Sequence, residues 1–398
     1  MYKRVLLVDH STQVLETFAK CIKKLEPEWI VDIAQSGKEA LNQLRTNPYN
    51  IILSDMNIQD MDGPTLLKKV RTEFPYTARF IHAGPAELND ALKSVNVAHQ
   101  YLLKPYPPKE LVKCIHLAIT EENLQQLDRL RDAIMGLDNI PSIPKLYIEI
   151  KDTFDDPHSN IQDIGTLIGK DPGMTAKILK LVNSAFFGHS QRITNPAEAA
   201  AYLGIELIKT LVLSLHIFDQ YEEEKLKDFN LPGLWEYSMR VAQTARMIAQ
   251  MEKTNRSMQD EAFTAGLLHD MGQLVLITNF TSDYRSLCNE SQMNPVNLIK
   301  AEKERFGIDH AEVGAFLMQL WGIPSEIVQA IRYHHNPSDA QETKFSALTA
   351  IHSASMLLGS NHPITTANAS GLQTIDMDYL EKLNLENRLP EWAEIIVD

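Results

Sequence analysis

Cysteine is scarce: three in 398 residues, at Cys21, Cys114 and Cys288. They lie far apart and share no metal-ligand spacing, which excludes a disulfide scaffold and a thiolate zinc site and points to inert thiols in a reducing compartment. Positive charge is also short. Against 52 acidic residues stand 38 basic ones, a net charge of −14. That excludes a sequence-independent nucleic-acid binder, because the phosphate backbone rewards a cationic surface. Long apolar runs are missing, and no stretch approaches the roughly 20 residues that span a bilayer. The opening MYKRVLLVDH is basic and then apolar, but Asp9 interrupts it. It reads as a strand, not a signal peptide. These absences describe a soluble, cytoplasmic chain whose length needs more than one domain.

The pattern present changes at about residue 120. Before it, short apolar runs alternate with amphipathic stretches. VLLV (5–8), WIVDIA (29–34), IILS (51–54), ARFIH (78–82) and YLL (101–103) read as strands. STQVLETFAKCIKKL and SGKEALNQLR read as helices, the second opened by Ser36 with Glu39 three residues on. Such alternation implies a five-stranded parallel sheet covered by helices on both faces. Ligands of these sheets bind outside the carboxyl ends of the strands. Those ends carry Asp9, Asp55, Ala83 and Lys104, so acidic and basic groups converge on one crevice.

The stretch SDMNIQDMDG around Asp55, with Asp9 upstream and Lys104-Pro105 downstream, resembles a two-component receiver domain of flavodoxin-like α/β fold over residues 1–120. The resemblance implies that Asp55 accepts a phosphoryl group and that Lys104 pairs with its oxygens. It further implies Mg²⁺ held by Asp9, Asp55 and the Asn57 carbonyl. Two departures stand out. His10 replaces the second acid of the metal-binding pair, and hard, octahedral Mg²⁺ prefers carboxylate oxygen to imidazole nitrogen. Ala83 falls where the family has a hydroxyl residue at the end of the fourth strand, while Tyr101, the aromatic partner of that switch, is retained.

From Glu110 to Met135 the pattern stays helical, LVKCIHLAITEENLQQLDRLRDAIM, and it stops at Gly136 before the prolines of DNIPSIP, with residues 121–136 as the linker. The expectation is a connecting helix, too short in heptads to be read as a coiled coil. From residue 137 no strand pattern recurs. Asp171 reads as an N-cap with Pro172 at the first helical position, and Asn195 with Glu198 repeats that opening before Gly204 closes it.

DPGMTAKILKLVNSAFFG (171–188), GLLHDMGQLVL, DHAEVG (309–314), WGIP (321–324) and AIRYHHNP (330–337) together resemble the all-helical HDOD output domain, a relative of the HD metal phosphohydrolases. The expected extent is 137–360, with a first bundle over 137–230 and an HD-like bundle over 231–360, followed by a partly helical tail at 361–398. In the enzymes, an early histidine, the His-Asp pair and a late aspartate hold metals that activate water against a phosphoester; such nitrogen and oxygen ligands suit Fe, Mn or Zn. Here the resemblance places Tyr237 at the early histidine, Gln273 where a lysine follows the His-Asp pair, and Ser355 at the late aspartate. His269, Asp270, His310, His334 and His335 survive. Each also has a structural role open to it: Asp309 with Glu312 makes a capping box beside His310, and His334 and His335 close a helix whose dipole favours positive charge.

The resulting expectation is a bacterial two-component-type signalling protein with no metal in the HDOD domain and no catalytic activity of its own. Input arrives by phosphorylation at Asp55 from a sensor histidine kinase, or by binding of another signalling protein; output is contact with a downstream protein, with a homodimer in reach. The alternatives are a metal-dependent phosphohydrolase or cyclic-nucleotide phosphodiesterase, and a nucleotide sensor using the degenerate HD pocket. A DNA-binding output lacks a basic recognition helix, since RITNPAEAAAYLG is acidic and apolar.

Overall fold

The computed structural model describes residues 3–84, 97–98, 100–104, 106, 108–109, 111–112, 115, 141, 143–155, 158–187, 193–220, 226, 229–293, 298–340, 342–359 and 375–396. The expected connecting helix at 121–136, Pro105 and the first part of the tail lie outside them. Two compact units divide the chain: Met1–Asp138 with Phe316–Ser325, and Asn139–Ala315 with Glu326–Asp398.

In the first unit the strands are β1 (Arg4–Val8), β2 (Ile30–Ala34), β3 (Ile51–Asp55), β4 (Ala78–Ala83) and β5 (Gln100–Leu103), and the helices α1 (Thr12–Leu25), α2 (Gly37–Thr46) and α3 (Gly63–Glu73). The strands pair in parallel in the order β2-β1-β3-β4-β5. Alternate residues of each strand serve opposite faces. Val5, Leu7, Ile51, Leu53, Ala78 and Phe80 cluster with Leu15 and Ile22 of α1 and with Leu111 and Ile115. On the other face α2 and α3 bury Leu41, Leu44, Leu66, Leu67 and Val70. Ser36 caps α2 by accepting from the Glu39 amide, while Glu39 Oε2 takes the Gln35 amide, one residue earlier than a strict capping box.

The second unit is helical among its described residues. Its first helices are α4 (Lys145–Asp155), α5 (Ile161–Gly169), α6 (Pro172–Val182), α7 (Pro196–Leu203) and α8 (Ile205–Asp219). Asp171 and Asn195 cap α6 and α7 as their sequences imply. There follow α9 (Leu231–Met251), α10 (Arg256–Leu268), α11 (Met271–Asn279), α12 (Thr281–Met293), α13 (Leu298–Phe306), α14 (His310–Leu320), α15 (Ser325–Tyr333) and α16 (Ala347–Leu358). Helices α9, α10 and α16 pack together, burying Val241, Ala242, Ile248, Phe263, Leu267 and Ile351. The tail ends in α17 (Met377–Lys382) and α18 (Leu389–Ala393). It is tied to the helical unit: the Tyr379 hydroxyl lies 2.8 Å from Thr349 Oγ1, and Trp392 Nε1 donates to Glu252 Oε1 at 3.0 Å. Among the described residues no single helix is long and apolar enough to cross a membrane.

Candidate functional site

The first site lies at the carboxyl ends of the strands. Asp9 follows β1, Asp55 ends β3 and Lys104 follows β5, and the parallel register brings them together. Both carboxylates are buried. Lys104 Nζ is 2.6 Å from Asp55 Oδ1 and 3.7 Å from Asp9 Oδ2. Burial pushes the Asp9 carboxyl up, but His82, the Ser11 amide and the Lys104 charge outweigh it and hold Asp9 below the ordinary carboxylate range.

His10 Nδ1 lies 3.2 Å from the Asn57 carbonyl, 3.4 Å from Asp9 Oδ1 and 3.8 Å from Asp55 Oδ2. The imidazole therefore stands among the three oxygens expected to hold Mg²⁺. Those oxygens are hard donors of the right kind, and the His10 side chain, 63% exposed, is free to swing out.

Ala83 is not the residue that faces the acids. His82 is directly opposite Asp55 in the β3–β4 register, and its Nε2 stands 3.6 Å from both Asp9 Oδ2 and Asp55 Oδ1. A shift of one position along a strand sends the side chain to the opposite face, so Ala83, also buried, projects away from the acids. His82 Nδ1 lies 2.8 Å from the Tyr106 hydroxyl, and desolvation lowers the pKa of the buried ring. Sequence reading missed His82. The alternation of Ala78, Phe80 and His82 on one face was the available signal. Tyr101 lies on β5, with its side chain outside the described residues.

The second site gathers His269, Asp270, His310, His334 and His335. The His-Asp pair sits at the junction of α10 and α11, His310 opens α14, and His334 and His335 follow α15. Around Asp270, His269 Nε2 approaches Oδ2 at 3.2 Å, while His310 Nε2 and His334 Nε2 approach Oδ1 at 3.2 and 3.9 Å. His310 Nε2 also lies 2.9 Å from His335 Nε2. Close helix approach makes this convergence possible: a Cβ on Gly272 would stand 1.9 Å from the His310 carbonyl oxygen. Asp309 and Glu312 form the expected capping box at the start of α14.

Glu302 on α13, which no sequence motif singles out, belongs to this cluster. Its Oε2 is 2.7 Å from His310 Nδ1, and its Oε1 accepts from the Tyr284 hydroxyl at 2.6 Å. Burial alone would lower the His310 pKa, but Glu302 and Asp270 on its two sides raise it well above the ordinary value. His310 thus stands between two acidic side chains that favour its charged form. Burial and the charges of His269 and His310 push His334 the other way, well below its ordinary value. Tyr237 packs its ring against His269 at 5.9 Å between centroids, and its hydroxyl donates to the Ser355 carbonyl at 3.3 Å. Ser355 Oγ donates to the His352 carbonyl of its own helix. The two residues at the missing-ligand positions are therefore in place, and each donates its hydroxyl hydrogen to backbone. Donor atoms of Asp270, His310, His334 and His335 nonetheless all fall within 4.8 Å of one another.

An acidic crevice on a parallel sheet and a helical bundle built around a His-Asp pair are features of a receiver domain and of an HDOD domain. The response regulator receiver domain model matches residues 5–116, and the HDOD domain model matches residues 140–337. The chain belongs to the proteins that join a receiver to an HDOD domain, a two-component-type signalling architecture. An uncharacterized protein of Treponema pallidum is 28% identical over 236 residues, covering 56% of this chain and 42% of its own length. The hydrogenase transcriptional regulatory protein HoxA of Cupriavidus necator is 31% identical over 123 residues, 30% of this chain and 25% of its own. This chain thus spans less than half of either relative. A solved protein of Shewanella amazonensis, provisionally named a phosphohydrolase, matches with a TM-score of 0.50 and 23% identity over 66% of this chain and 92% of that one; this likeness concerns the fold alone.

Proposed function

We propose that the receiver controls a non-catalytic HDOD output that works by protein–protein contact. The observation that carries this reading is the state of the His-Asp cluster. His310 is engaged on both ring nitrogens, Nδ1 with Glu302 and Nε2 with His335 and Asp270, and His269, Asp270, His310 and His334 are each 2% exposed or less. A substrate phosphoester needs an accessible electrophile site and a free metal-bound water. This cluster instead resembles a buried polar joint that locks α10, α11, α13 and α14 in one arrangement.

Input enters at Asp55, by phosphoryl transfer from a sensor histidine kinase or by binding of another signalling protein. Lys104 stands ready to pair with phosphoryl oxygens, and a divalent ion on Asp9, Asp55 and the Asn57 carbonyl would offset the added charge. Output is contact with a downstream protein or a second copy of the chain, in the cytoplasm, without nucleic acid or membrane.

The second reading, a metal phosphohydrolase or a nucleotide sensor, is favoured by the mutual proximity of the Asp270, His310, His334 and His335 donors. Two measurements on the full chain separate these readings. Intact mass after treatment with a small-molecule phosphodonor is expected to show an adduct that Asp55→Asn removes. With Mn²⁺, Fe²⁺ or Zn²⁺ supplied, hydrolysis of phosphoesters and cyclic nucleotides is expected to stay at background; turnover abolished by Asp270→Asn would replace the interaction reading with the enzymatic one.

A further inference from the structure

Two sets of donor atoms surround the receiver acids, and they differ in chemistry. The outer one lies between Asp9 Oδ1, Asp55 Oδ2 and the Asn57 carbonyl, where His10 Nδ1 stands. The inner one lies between Asp9 Oδ2 and Asp55 Oδ1, each 3.6 Å from His82 Nε2. Lys104 Nζ approaches the same two oxygens, at 3.7 and 2.6 Å, on a side chain that is 33% exposed, and an ion there would displace it.

His82 Nε2 needs an explanation. The residue is 3% exposed, and this nitrogen has no hydrogen-bond partner among the described residues. At 3.6 Å from each carboxylate it lies within ion-pair range but beyond hydrogen-bond distance. A buried polar atom left unsatisfied is costly, so such an atom aimed at two carboxylates marks a place built for something else. The other ring nitrogen is already engaged with the Tyr106 hydroxyl at 2.8 Å. When Nδ1 carries the proton and donates to Tyr106, the Nε2 lone pair faces the acids. Metal-ligating histidines are held in this way, with the second nitrogen fixing tautomer and ring orientation.

The geometry points to a first-row divalent transition ion bound by Asp9, Asp55 and His82 in the receiver pocket. Donor atoms of these three residues all lie within 4.8 Å of one another. An ion about 2.1 Å from each ligand needs donors about 3.0–3.4 Å apart, so small side-chain rotations close the set. Two carboxylates and one imidazole select Mn²⁺, Fe²⁺, Co²⁺ or Zn²⁺ over Mg²⁺, which takes oxygen. His10, on the solvent side of the same carboxylates, is positioned to follow as a fourth ligand. The inference deepens the reading of this pocket as the input site and rests on it: the ion itself becomes an input, or the cofactor that supports phosphorylation.

The test uses the full chain carrying His10→Ala and His335→Ala, which remove the outer imidazole and one donor of the second cluster. Titration with Co²⁺ and with Mg²⁺ is expected to give one Co²⁺ bound at least a hundredfold more tightly than Mg²⁺. Pulsed electron paramagnetic resonance of the Mn²⁺ complex is expected to show coupling to an imidazole nitrogen, and Asp9→Asn is expected to abolish both signals. His82→Ala should lose the nitrogen coupling and the preference for Co²⁺; if that variant does not fold, the parent spectrum decides alone. Equal affinities, an all-oxygen spectrum, or signals that survive Asp9→Asn would overturn the inference. If Mg²⁺ matches Co²⁺, the metal-assisted input of the proposed function stands without it; if neither ion binds, both fall.

Discussion

The Nδ1 of His82 and the hydroxyl of Tyr106 are 2.8 Å apart, which links the acid pocket of the receiver to the segment just beyond β5. Phe18 packs against both rings, at centroid distances of 6.1 and 5.5 Å. Tyr106→Phe keeps the packing and removes the hydrogen bond. Leaving Nδ1 without it is expected to cost about 1–2 kcal/mol, read as a lower urea midpoint for the receiver transition; an unchanged midpoint would show that the contact carries no stability.

His10 holds the place of an acid. His10→Asp would supply a third carboxylate beside Asp9 and Asp55 and remove the nitrogen that stands among the oxygens. Mg²⁺ affinity measured by calorimetry is expected to rise at least about tenfold. If affinity does not change, the outer position does not bind the ion.

His310 gives the helical unit a pH dependence of known sign. Its pKa is raised in the fold, so its stabilisation is fully present below the unfolded value of about 6.5 and is lost as pH rises through the higher folded value. His334 and His352 have lowered pKa values and act in the opposite sense, withdrawing stability as pH falls below about 6.5. Unfolding free energy of the helical unit is expected to decline on the alkaline side, and Glu302→Gln is expected to flatten that slope. Glu302→Ala, which strands a buried charge, is expected to cost about 3–5 kcal/mol. Equal alkaline slopes in wild type and Glu302→Gln would contradict the bridge.

Gly272 follows the His-Asp pair by two residues because nothing larger fits. An added Cβ would meet the His310 carbonyl oxygen at 1.9 Å and the Gly314 amide nitrogen at 2.7 Å, both backbone atoms. Gly272→Ala must push α11 from α14, and the expected cost lies at or above the upper end of the usual overpacking range of about 1–3 kcal/mol. Thermal melting and near-ultraviolet dichroism would register it. A variant as stable as wild type would mean that the helices separate more easily than their packing implies.

Much of this molecule was legible in the chain. The strands at 5–8, 51–54 and 101–103 fall within one residue of their observed bounds, because alternating apolar runs bounded by polar turns leave few other pairings. The caps at Ser36, Asp171 and Asn195 were equally plain, since a short polar side chain before an apolar-periodic stretch has one local task. Asp9, Asp55 and Lys104 could be placed together because parallel strands deliver their carboxyl ends to one edge.

The remainder depended on which atoms meet across the fold. Whether residue 82 or 83 faces Asp55 is set by the pleat of β4 against β3, and a one-residue difference exchanges an inert methyl for an imidazole. Glu302 looks like any charged residue of an amphipathic helix until α13 lays it against His310. The survival of the His-Asp motif said nothing of the protonation of His310, because pKa follows burial and neighbouring charge, which are properties of assembled helices. Sequence determined the two domains and the residue types their pockets draw on, since periodicity and capping act over a few neighbouring residues. Tertiary structure alone decided which nitrogen faces which carboxylate, because hydrogen bonds and ligand geometry are settled within tenths of an ångström between residues distant in the chain.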